Sequence, residues 1–439
     1  MTTVTISSQT HLENIPASAL ERIKQSLTMR NPAHAEAVKH GRWTGKIPQE
    51  LRFYENTLDG LTIPRGFTDQ ALTILAGQNC PAAVVDHRLT LPDMDLTFQG
   101  KLRPYQTEAV AAVLGRDHGV LEASTGSGKT VMGLAVIGAR KQPTLVLVHN
   151  KELLNQWADR IRQFLGIEAG FIGDGKFDVR PVTVGIVNTV RRRLPDLIGK
   201  FGQVVVDECH RAPAAMFSEC VKEFPAKNLL GLSATPFRRD GLDKLIFFAM
   251  GDLAHKVDPG KLVECGAVLE PTIVVSETEF FYSYADDYAA MVTALVEDTE
   301  RNVQIIHDVV TFTKGNGTSL LVSDRVSHCE ELAEGIRHRG LAVEVLTGGT
   351  RAQDRARIVA DVQAGRVQVL VSTMSLISEG FDCPGLDLLF LATPVAYRGR
   401  LMQVVGRILR PAPGKTPYVI DYVDHRVPVL RHQAKKRWE

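Results

Sequence analysis

The chain has 439 residues, 44% of them hydrophobic and 23% charged, with a formal net charge of +1. This is ordinary globular material, long enough for about three domains, and no apolar run approaches the roughly 20 residues of a membrane helix. Near-neutrality means that a nucleic-acid partner would have to be held by a local basic stripe and not by overall charge. The six cysteines are scattered, with no C-x-x-C pair, and the N-terminus lacks a basic-then-apolar secretory layout. Free thiols and a cytoplasmic location in a bacterial or phage-infected cell are therefore expected, with no zinc site and no membrane association.

Residues 1–97 mix helix and strand signals without a strong period and carry Pro16, Pro32, Pro48 and Pro64. They read as a separate small α+β accessory domain. Within them, Arg42, Trp43 and Lys46, followed by Arg52-Phe53-Tyr54, interleave basic and aromatic residues. One reading is nucleic-acid contact through phosphate pairing and base stacking. The other is a small core with Trp43 and Phe53 inside and the cations in solvent.

From Phe98 onward, short apolar runs alternate with amphipathic segments. The runs are Thr144–Val148, Val182–Val187, Gln203–Val206, Asn228–Leu232, Ser319–Val322, Val367–Val371, Leu386–Leu391 and Pro417–Ile420. Short β-branched or leucine-rich runs with polar flanks read as buried parallel strands in βαβ units. Tyr105–Leu114 reads as a helix with Val110, Val113 and Leu114 on one face. The Pro- and Gly-bearing stretch Gly251–Glu277 separates two strand groups, which divides the remainder into 98–258 and 259–439.

Ala123-Ser124-Thr125-Gly126-Ser127-Gly128-Lys129-Thr130 lies between the apolar Gly119-Val120-Leu121 and the apolar-periodic Val131–Ala135. Strand, glycine loop and helix are the context of a phosphate-binding loop, whose backbone N–H groups cradle phosphates. Lys129 is expected at the β- and γ-phosphates and Thr130 at Mg²⁺. Val204-Val205-Val206-Asp207-Glu208-Cys209-His210 ends an apolar strand in paired carboxylates. The expected roles are Asp207 on the metal and Glu208 on the attacking water. Cys209 and His210 have no partner at zinc spacing. The hydroxyls of Ser233 and Thr235 can bond the carboxylate segment or cap a following helix. Gln106 could read an adenine edge or be a plain surface glutamine. Arg191-Arg192-Arg193 is either a solvated run or a phosphate contact at a strand's C-terminal edge. Downstream, Ser372-Thr373 and Glu379–Asp382 follow a strand, and Arg407 and Arg410 share one helix face with Gln403 a turn earlier.

Gln106, ASTGSGKT, LVLVHNKELLNQW, DECH, LSATP, VSTMSLISEGFDCP and QVVGRILR, in this order, resemble the superfamily 2 helicases, in particular the XPB-like DEAH group and the phage branch-migration helicases. The resemblance covers roughly residues 98–425. It implies two tandem RecA-like lobes, ATP and Mg²⁺ as cofactors, and tracking along a DNA strand, usually 3′ to 5′. Carried onto this chain, it supports Ser124, Thr125, Gly126, Ser127, Gly128, Lys129 and Thr130 at the phosphates, Gln106 at adenine and Asp382 near the ribose. Asp207 and Glu208 are catalytic, with Arg407 and Arg410 as arginine fingers. His210, Ser233, Thr235 and Gln403 couple hydrolysis to movement. Strand contacts fall at His149, Asn188, Thr189, Ser323, Thr347, Gly348 and Thr373, with Arg191 beside them. In phage relatives a small N-terminal domain contacts duplex DNA, which favours the nucleic-acid reading of Arg42, Trp43 and Lys46. The chain departs from XPB proteins at Arg238-Arg239-Asp240-Gly241, where they carry Arg-Glu-Asp, and it has no counterpart of their thumb insertion, so a leaner relative fits better. The expected activity is ATP-driven unwinding or branch migration of forked and junction DNA. An RNA helicase, or a motor subunit of a larger DNA-processing complex without autonomous unwinding, are the alternatives. RNA is a further candidate partner, and protein partners are left open.

Overall fold

A computed structural model describes residues 1–210, 219–234, 242–285, 287–378, 385–395, 401, 404–406, 408 and 415–438. The chain divides into two compact units. One is Met1–Ala123 with Gly128–Asp258; the other is Pro259–Glu439 with the segment Ser124–Ser127.

The first unit opens with β1 (Thr2–Ile6), β2 (Thr10–Glu13), β3 (Thr28–Arg30), β4 (Glu50–Arg52), β5 (Glu55–Asn56), β6 (Gly60–Ile63) and β7 (Ala82–Asp86). Five of these form a sheet in the order β5-β6-β2-β1-β7, while β3 and β4 pair only with each other. Then follow β8 (His118–Glu122), β9 (Thr144–Val148), β10 (Gly170–Gly173), β11 (Lys176–Asp178), β12 (Val182–Ile186), β13 (Gln203–Val206), β14 (Asn228–Ser233) and β15 (Leu253–Lys256). They make one sheet in the order β11-β10-β12-β9-β13-β14-β8-β15. Every neighbouring pair is parallel except the β10–β11 hairpin. β9 is buried at all five positions and β13 at all four. Such continuous burial requires helices on both faces, which is why these strands read as unbroken apolar runs.

The helix Lys151–Leu165 shows how one face is covered. Asn150 caps it by accepting from Leu153 N at 2.9 Å, and Gly166, at φ 68°, ends it. Its buried residues Leu154, Trp157, Ala158, Ile161 and Leu165 recur at helical spacing. Helix Pro104–Leu114 forms as expected and buries Val110 and Val113, but Leu114 is 40% exposed because the helix ends there at Gly115.

The N-terminal sheet does not have a core to itself. Val4, Leu12, Ile23, Leu61, Ile63 and Phe67 cluster with Leu245 and Phe248. The latter two lie on helix Lys244–Met250, whose other face sends Ile246 and Met250 into the core of the eight-stranded sheet. Gly66 is required at this seam, since a Cβ there would sit 2.4 Å from Gly251 N and 2.5 Å from the Phe247 carbonyl. Buried Arg65 spans the seam, donating through Nη1 to the carbonyls of Ser7 at 3.1 Å and Ala226 at 2.7 Å. Phe53 packs on Phe248 with ring centroids 5.5 Å apart, so the core reading holds for Phe53. It does not hold for Trp43, which is 75% exposed.

The second unit contains β16 (Thr272–Glu277), β17 (Ser319–Ser323), β18 (Val343–Leu346), β19 (Val369–Thr373), β20 (Leu388–Leu391) and β21 (Tyr418–Val423). They form an all-parallel sheet in the order β16-β21-β20-β17-β19-β18. All eight expected runs are strands. Beyond residue 97, the strands that sequence patterning missed, β10, β11, β15, β16 and β18, are short, partly polar or at sheet edges, where alternation and continuous burial both fade, and within residues 1–97 no individual strand was located.

A polar chain crosses the second unit's core. Asn302 Oδ1 accepts from His328 Nε2 at 2.9 Å, so His328 Nδ1 accepts from the Ser323 hydroxyl, also at 2.9 Å. Burial, reinforced by the nearby Arg301, pulls the His328 imidazole down to about 3 from its usual 6.5. The folded state therefore excludes a proton that the unfolded chain binds below pH 6.5. The stabilisation is complete above that pH and lost as pH falls toward 3. Each pH unit within this window costs about 1.4 kcal/mol. Denaturant titrations at pH 7 and pH 5 should show His328→Gln losing about 2 kcal/mol less than wild type. Equal losses in the two proteins would place His328's proton elsewhere.

Candidate functional site

Three neighbouring strands present the site. In the order β13-β14-β8, their C-terminal ends lead into Asp207-Glu208, end at Ser233, and lead into the glycine loop. Ala123 N donates to the Ser233 carbonyl at 2.9 Å, which ties the loop's first residue to β14. Gly126 and Gly128 have φ of 88° and 82°, a region L side chains rarely adopt. At Gly128 a Cβ would also meet Gln106 Nε2 at 2.5 Å. Within the loop, both N and Oγ of Ser127 donate to the Ser124 carbonyl. Helix Lys129–Arg140 begins directly after the loop, so its first N–H groups face the loop's concavity.

Lys129 Nζ donates to the Ala123 carbonyl at 3.0 Å and lies 3.9 Å from Glu208 Oε1. Its ammonium therefore stands between the loop and the carboxylate pair. Thr130 follows on the same helical turn and is half-buried. Gln106 holds its place through Oε1, which accepts from Arg103 N at 2.9 Å at the start of helix Pro104–Leu114. It is buried against the glycine loop. The plain surface-glutamine reading does not fit this position.

Asp207 is buried, with its two oxygens separately held. Oδ2 accepts from Trp157 Nε1 at 2.8 Å and Oδ1 from Glu208 N at 2.9 Å. Desolvation, helped by the Glu208 charge, raises the Asp207 carboxyl to about 6, against the opposing pull of Trp157 and Lys129. A carboxylate so poorly solvated is suited to meeting a cation. Glu208 has φ 48°, an unusual backbone for a side chain of its size. The strain turns the chain out of β13. His149 Nε2 donates to the Glu208 carbonyl at 3.1 Å. His210 Nδ1 lies 2.9 Å from Ser233 Oγ and 3.4 Å from Glu208 Oε2, so it joins β14 to the carboxylate segment. Cys209 is wholly buried and burial drives its thiol far up, away from metal-binding thiolate. Among the described residues no group of three or more His, Cys, Asp or Glu side chains could hold a metal.

The structure brings Lys129, Thr130, Asp207, Glu208, His210, Ser233 and Gln106 to one sheet edge. Trp157 is the residue that sequence reasoning missed. Its signal was the buried face of the helix after β9, but nothing in the sequence says which carboxylate its indole meets. Thr235, Asp382, Gln403, Arg407 and Arg410 lie outside the described residues.

The expected strand contacts fall into two groups at C-terminal strand ends. His149 follows β9, and Asn188 and Thr189 lie on helix Val187–Arg192, which continues the adjacent β12. Asn188 is exposed and Thr189 half-buried, while exposed Arg191 lies 3.4 Å from Glu219. In the second unit, Ser323 pairs in register with Thr373, and β18 runs beside them into Thr347-Gly348. Ser323 and Thr373 are buried, and the Ser323 hydroxyl also accepts from Arg325 N. Thr347 N donates to Thr350 Oγ1 at 3.0 Å, and Arg355 donates to the Thr350 and Gly348 carbonyls, which fixes that turn. Arg42 and Lys46 are exposed beside Trp43.

Residues 99–238 match the family described as type III restriction enzyme, res subunit, and residues 301–412 match the helicase conserved C-terminal domain. The chain is similar to the "Probable helicase D10" of Escherichia phage T5, with 28% identity over 310 residues, covering 69% of this chain and 67% of that one. It is also similar to the "DNA 3'-5' translocase XPB2" of Sulfurisphaera tokodaii, with 24% identity over 352 residues, covering 71% and 79%. Among solved structures, S. cerevisiae Dbp5 bound to RNA and ADP BeF3 shares the fold at a TM-score of 0.53 and 17% identity, over 76% of this chain and 88% of that one. No helix among the described residues is long and apolar enough to cross a membrane.

Two substitutions separate binding from chemistry at this edge. Glu208→Gln keeps the volume and polarity beside Lys129, so nucleotide binding should persist while turnover falls by roughly 10²–10⁴, the usual worth of a general base. Turnover at the wild-type rate would remove Glu208 from the chemistry. Trp157→Phe deletes a hydrogen bond to a carboxylate, typically about 1.5–3 kcal/mol. The Mg²⁺ concentration for half-maximal turnover should rise roughly tenfold or more with little change in thermal stability. An unchanged Mg²⁺ dependence would show that the indole does not orient Asp207.

Proposed function

Since the chain belongs to the superfamily 2 helicases and is a nucleic-acid-dependent ATPase, we propose that it is a DNA helicase or translocase that moves 3′ to 5′ and remodels forked or junction DNA. The observation that carries the motor assignment is the convergence of Lys129, Asp207, Glu208 and Ser233 at the ends of β8, β13 and β14. The similarity to a protein named for 3′-5′ translocation on DNA supports the substrate and the direction.

The residues fit ATP and a divalent cation. The glycine loop holds Gly126 and Gly128 in backbone conformations that leave its N–H groups free of side-chain cover, and Asp207 is a buried carboxylate whose proton affinity desolvation raises. Ser124–Gly128 and Lys129 would hold the phosphates, Thr130 and Asp207 the Mg²⁺, and Gln106 the adenine edge. Bound Mg²⁺ supplies charge neutralisation at the phosphates. Glu208 takes the proton of the attacking water, and its position 3.4 Å from His210 lets a change at the carboxylate reach Ser233 and β14. From the family pattern, Asp382 is assigned to the ribose, and Arg407 and Arg410 to the transferring phosphoryl group. Gln403 and Thr235 are assigned to coupling. The same pattern assigns His149, Asn188, Thr189, Ser323, Thr347, Gly348 and Thr373 to the tracked strand, with Arg191 added from its place at the C-terminal edge of β12; Ser323 and Thr373 are buried, so Asn188, Thr189, Thr347 and Gly348 present the surface.

The match of residues 99–238 to a restriction-enzyme subunit family supports a second reading, in which the chain is the motor of a larger DNA-processing complex. ATPase rates with single-stranded, duplex, forked and four-way DNA, beside RNA of matched sequence, test both. Forked or four-way DNA should stimulate most, and the same substrates should be unwound by the protein alone. Strong stimulation without strand separation would favour the second reading. Stimulation by RNA in preference to DNA would overturn the DNA assignment.

A further inference from the structure

The segment that leaves β9 holds both members of the carboxylate pair. The main-chain ladder between β9 and β13 closes with Asp207 N donating to the Leu147 carbonyl at 3.0 Å. Beyond it the chain turns sharply. Glu208 adopts φ 48°, and Cys209 N donates to the Leu232 carbonyl of β14 at 3.0 Å. Between those two amides, the Glu208 carbonyl is met by a side chain from the end of β9, His149 Nε2 at 3.1 Å. A carbonyl only accepts, so Nε2 carries a proton of the ring. Further along the same segment, Trp157 Nε1 donates to the Asp207 carboxylate at 2.8 Å. Asn150 lies between the two and fixes the start of the helix by accepting from Leu153 N.

We propose that His149 is a positioning residue for Glu208, in place of the strand contact that the family pattern assigns to it; the inference rests on the reading of Glu208 as the general base. Three features carry it. A left-handed backbone at a glutamate persists only where its surroundings hold it, and the imidazole is one of the groups doing so. The same residue bears the carbonyl that His149 grips and the carboxylate that lies 3.9 Å from Lys129 and 3.4 Å from His210, so a slackened turn moves the base. General-base chemistry is sensitive to such a displacement, because the base must stay within hydrogen-bond reach of its water. The neighbours of His149 are also engaged inside the unit: Asn150 in the helix cap, and Lys151 2.7 Å from Asp174 in the β10–β11 turn. His149 is itself half-buried with its N–H directed at the end of β13, whereas Asn188, after β12, is exposed.

The two grips have different consequences. Trp157 holds the carboxylate assigned to Mg²⁺, so its loss moves the metal dependence. His149 holds the peptide that aims the base, so its loss slows the chemical step and leaves ATP and Mg²⁺ binding in place. A strand contact does neither, since its loss weakens nucleic-acid binding and leaves turnover at saturation intact.

The test uses the full chain carrying His149→Ala, His149→Gln or Glu208→Gln, and His149→Ala combined with Glu208→Gln. Turnover at saturating ATP is measured alone, with single-stranded DNA and with the matched RNA. Beside it are measured the KM for ATP, the Mg²⁺ dependence, nucleic-acid affinity by fluorescence anisotropy, and the melting temperature. His149→Ala should lower kcat roughly five- to tenfold with and without nucleic acid, the scale of one lost hydrogen bond, while KM, Mg²⁺ dependence and nucleic-acid affinity change less than about twofold. His149→Gln, whose amide offers an N–H at similar reach, should recover most of that loss. In the Glu208→Gln background, followed by single turnover, His149→Ala should lower the rate less than about twofold further, because the group it positions no longer acts. Weaker nucleic-acid binding with kcat intact at saturation would overturn the proposal and return His149 to the tracked strand. Equal losses in the Ala and Gln variants, a full multiplicative loss in the double variant, or an unchanged kcat in His149→Ala would each overturn it too. Should His149→Ala melt early, His149→Leu, which fills the space without a donor, takes its place under the same expectations. If Glu208→Gln turns over at the wild-type rate, the base assignment fails and the proposal falls with it. If Glu208→Gln is impaired and His149→Ala is not, the base assignment stands and this proposal alone fails.

Discussion

The motor site depends on a carboxylate held almost wholly out of water. Asp207 would be costly at the buried end of β13 without the indole N–H of Trp157 on one oxygen and the Glu208 amide on the other. Those two donors orient the group, and their cost is met by packing that already exists. Trp157 is buried because its helix must cover the parallel sheet, and the Glu208 amide is aimed by the strained turn that ends β13. The remaining parts follow from that turn. Glu208 comes within reach of Lys129, and His210 within reach of both Glu208 and Ser233. His210 thus links the carboxylate segment to β14, by an ion-pair distance to Glu208 and a hydrogen bond to Ser233.

A second constraint is the sharing of one helix by two cores. Lys244–Met250 follows the β14 segment in sequence and places Leu245 and Phe248 in the N-terminal cluster, with Ile246 and Met250 in the sheet's own. Gly66 and Arg65 close the seam so tightly that a single methyl group at Gly66 would collide with two carbonyls and an amide. The N-terminal sheet is therefore mechanically part of the first unit.

The second unit repeats the parallel architecture with different interior chemistry. Arg301 and Asp424 form a buried pair at 2.7 Å, with Thr278 also donating to Asp424 and Arg301 to the Ala392 carbonyl. Arg437 makes a two-pronged contact with Asp421. Buried pairs of this kind are strongly destabilising to break, although they contribute less to net stability than their geometry suggests. They tie helix Thr299–Asn316 and the C-terminal helix Pro428–Trp438 to β21 and its end.

Continuous apolar runs such as Thr144–Val148 and Ser319–Val322 were legible as buried parallel strands because burial on both faces leaves no room for alternation. The glycine loop was legible because Gly126 and Gly128 occupy backbone conformations, and Gly128 a space, that admit nothing larger. The Asp207-Glu208 pair was legible from its place at a strand's end. Tertiary structure decided what depends on distant partners. It set Gln106 against Gly128, gave Asp207 to Trp157, packed Phe53 on Phe248 while leaving Trp43 outside, and paired β3 with β4. Local pattern records which face of an element avoids water, because the period of the backbone writes it into the chain. It does not record which donor meets which acceptor, since that is settled by how separate elements pack, and packing is a property of the whole fold.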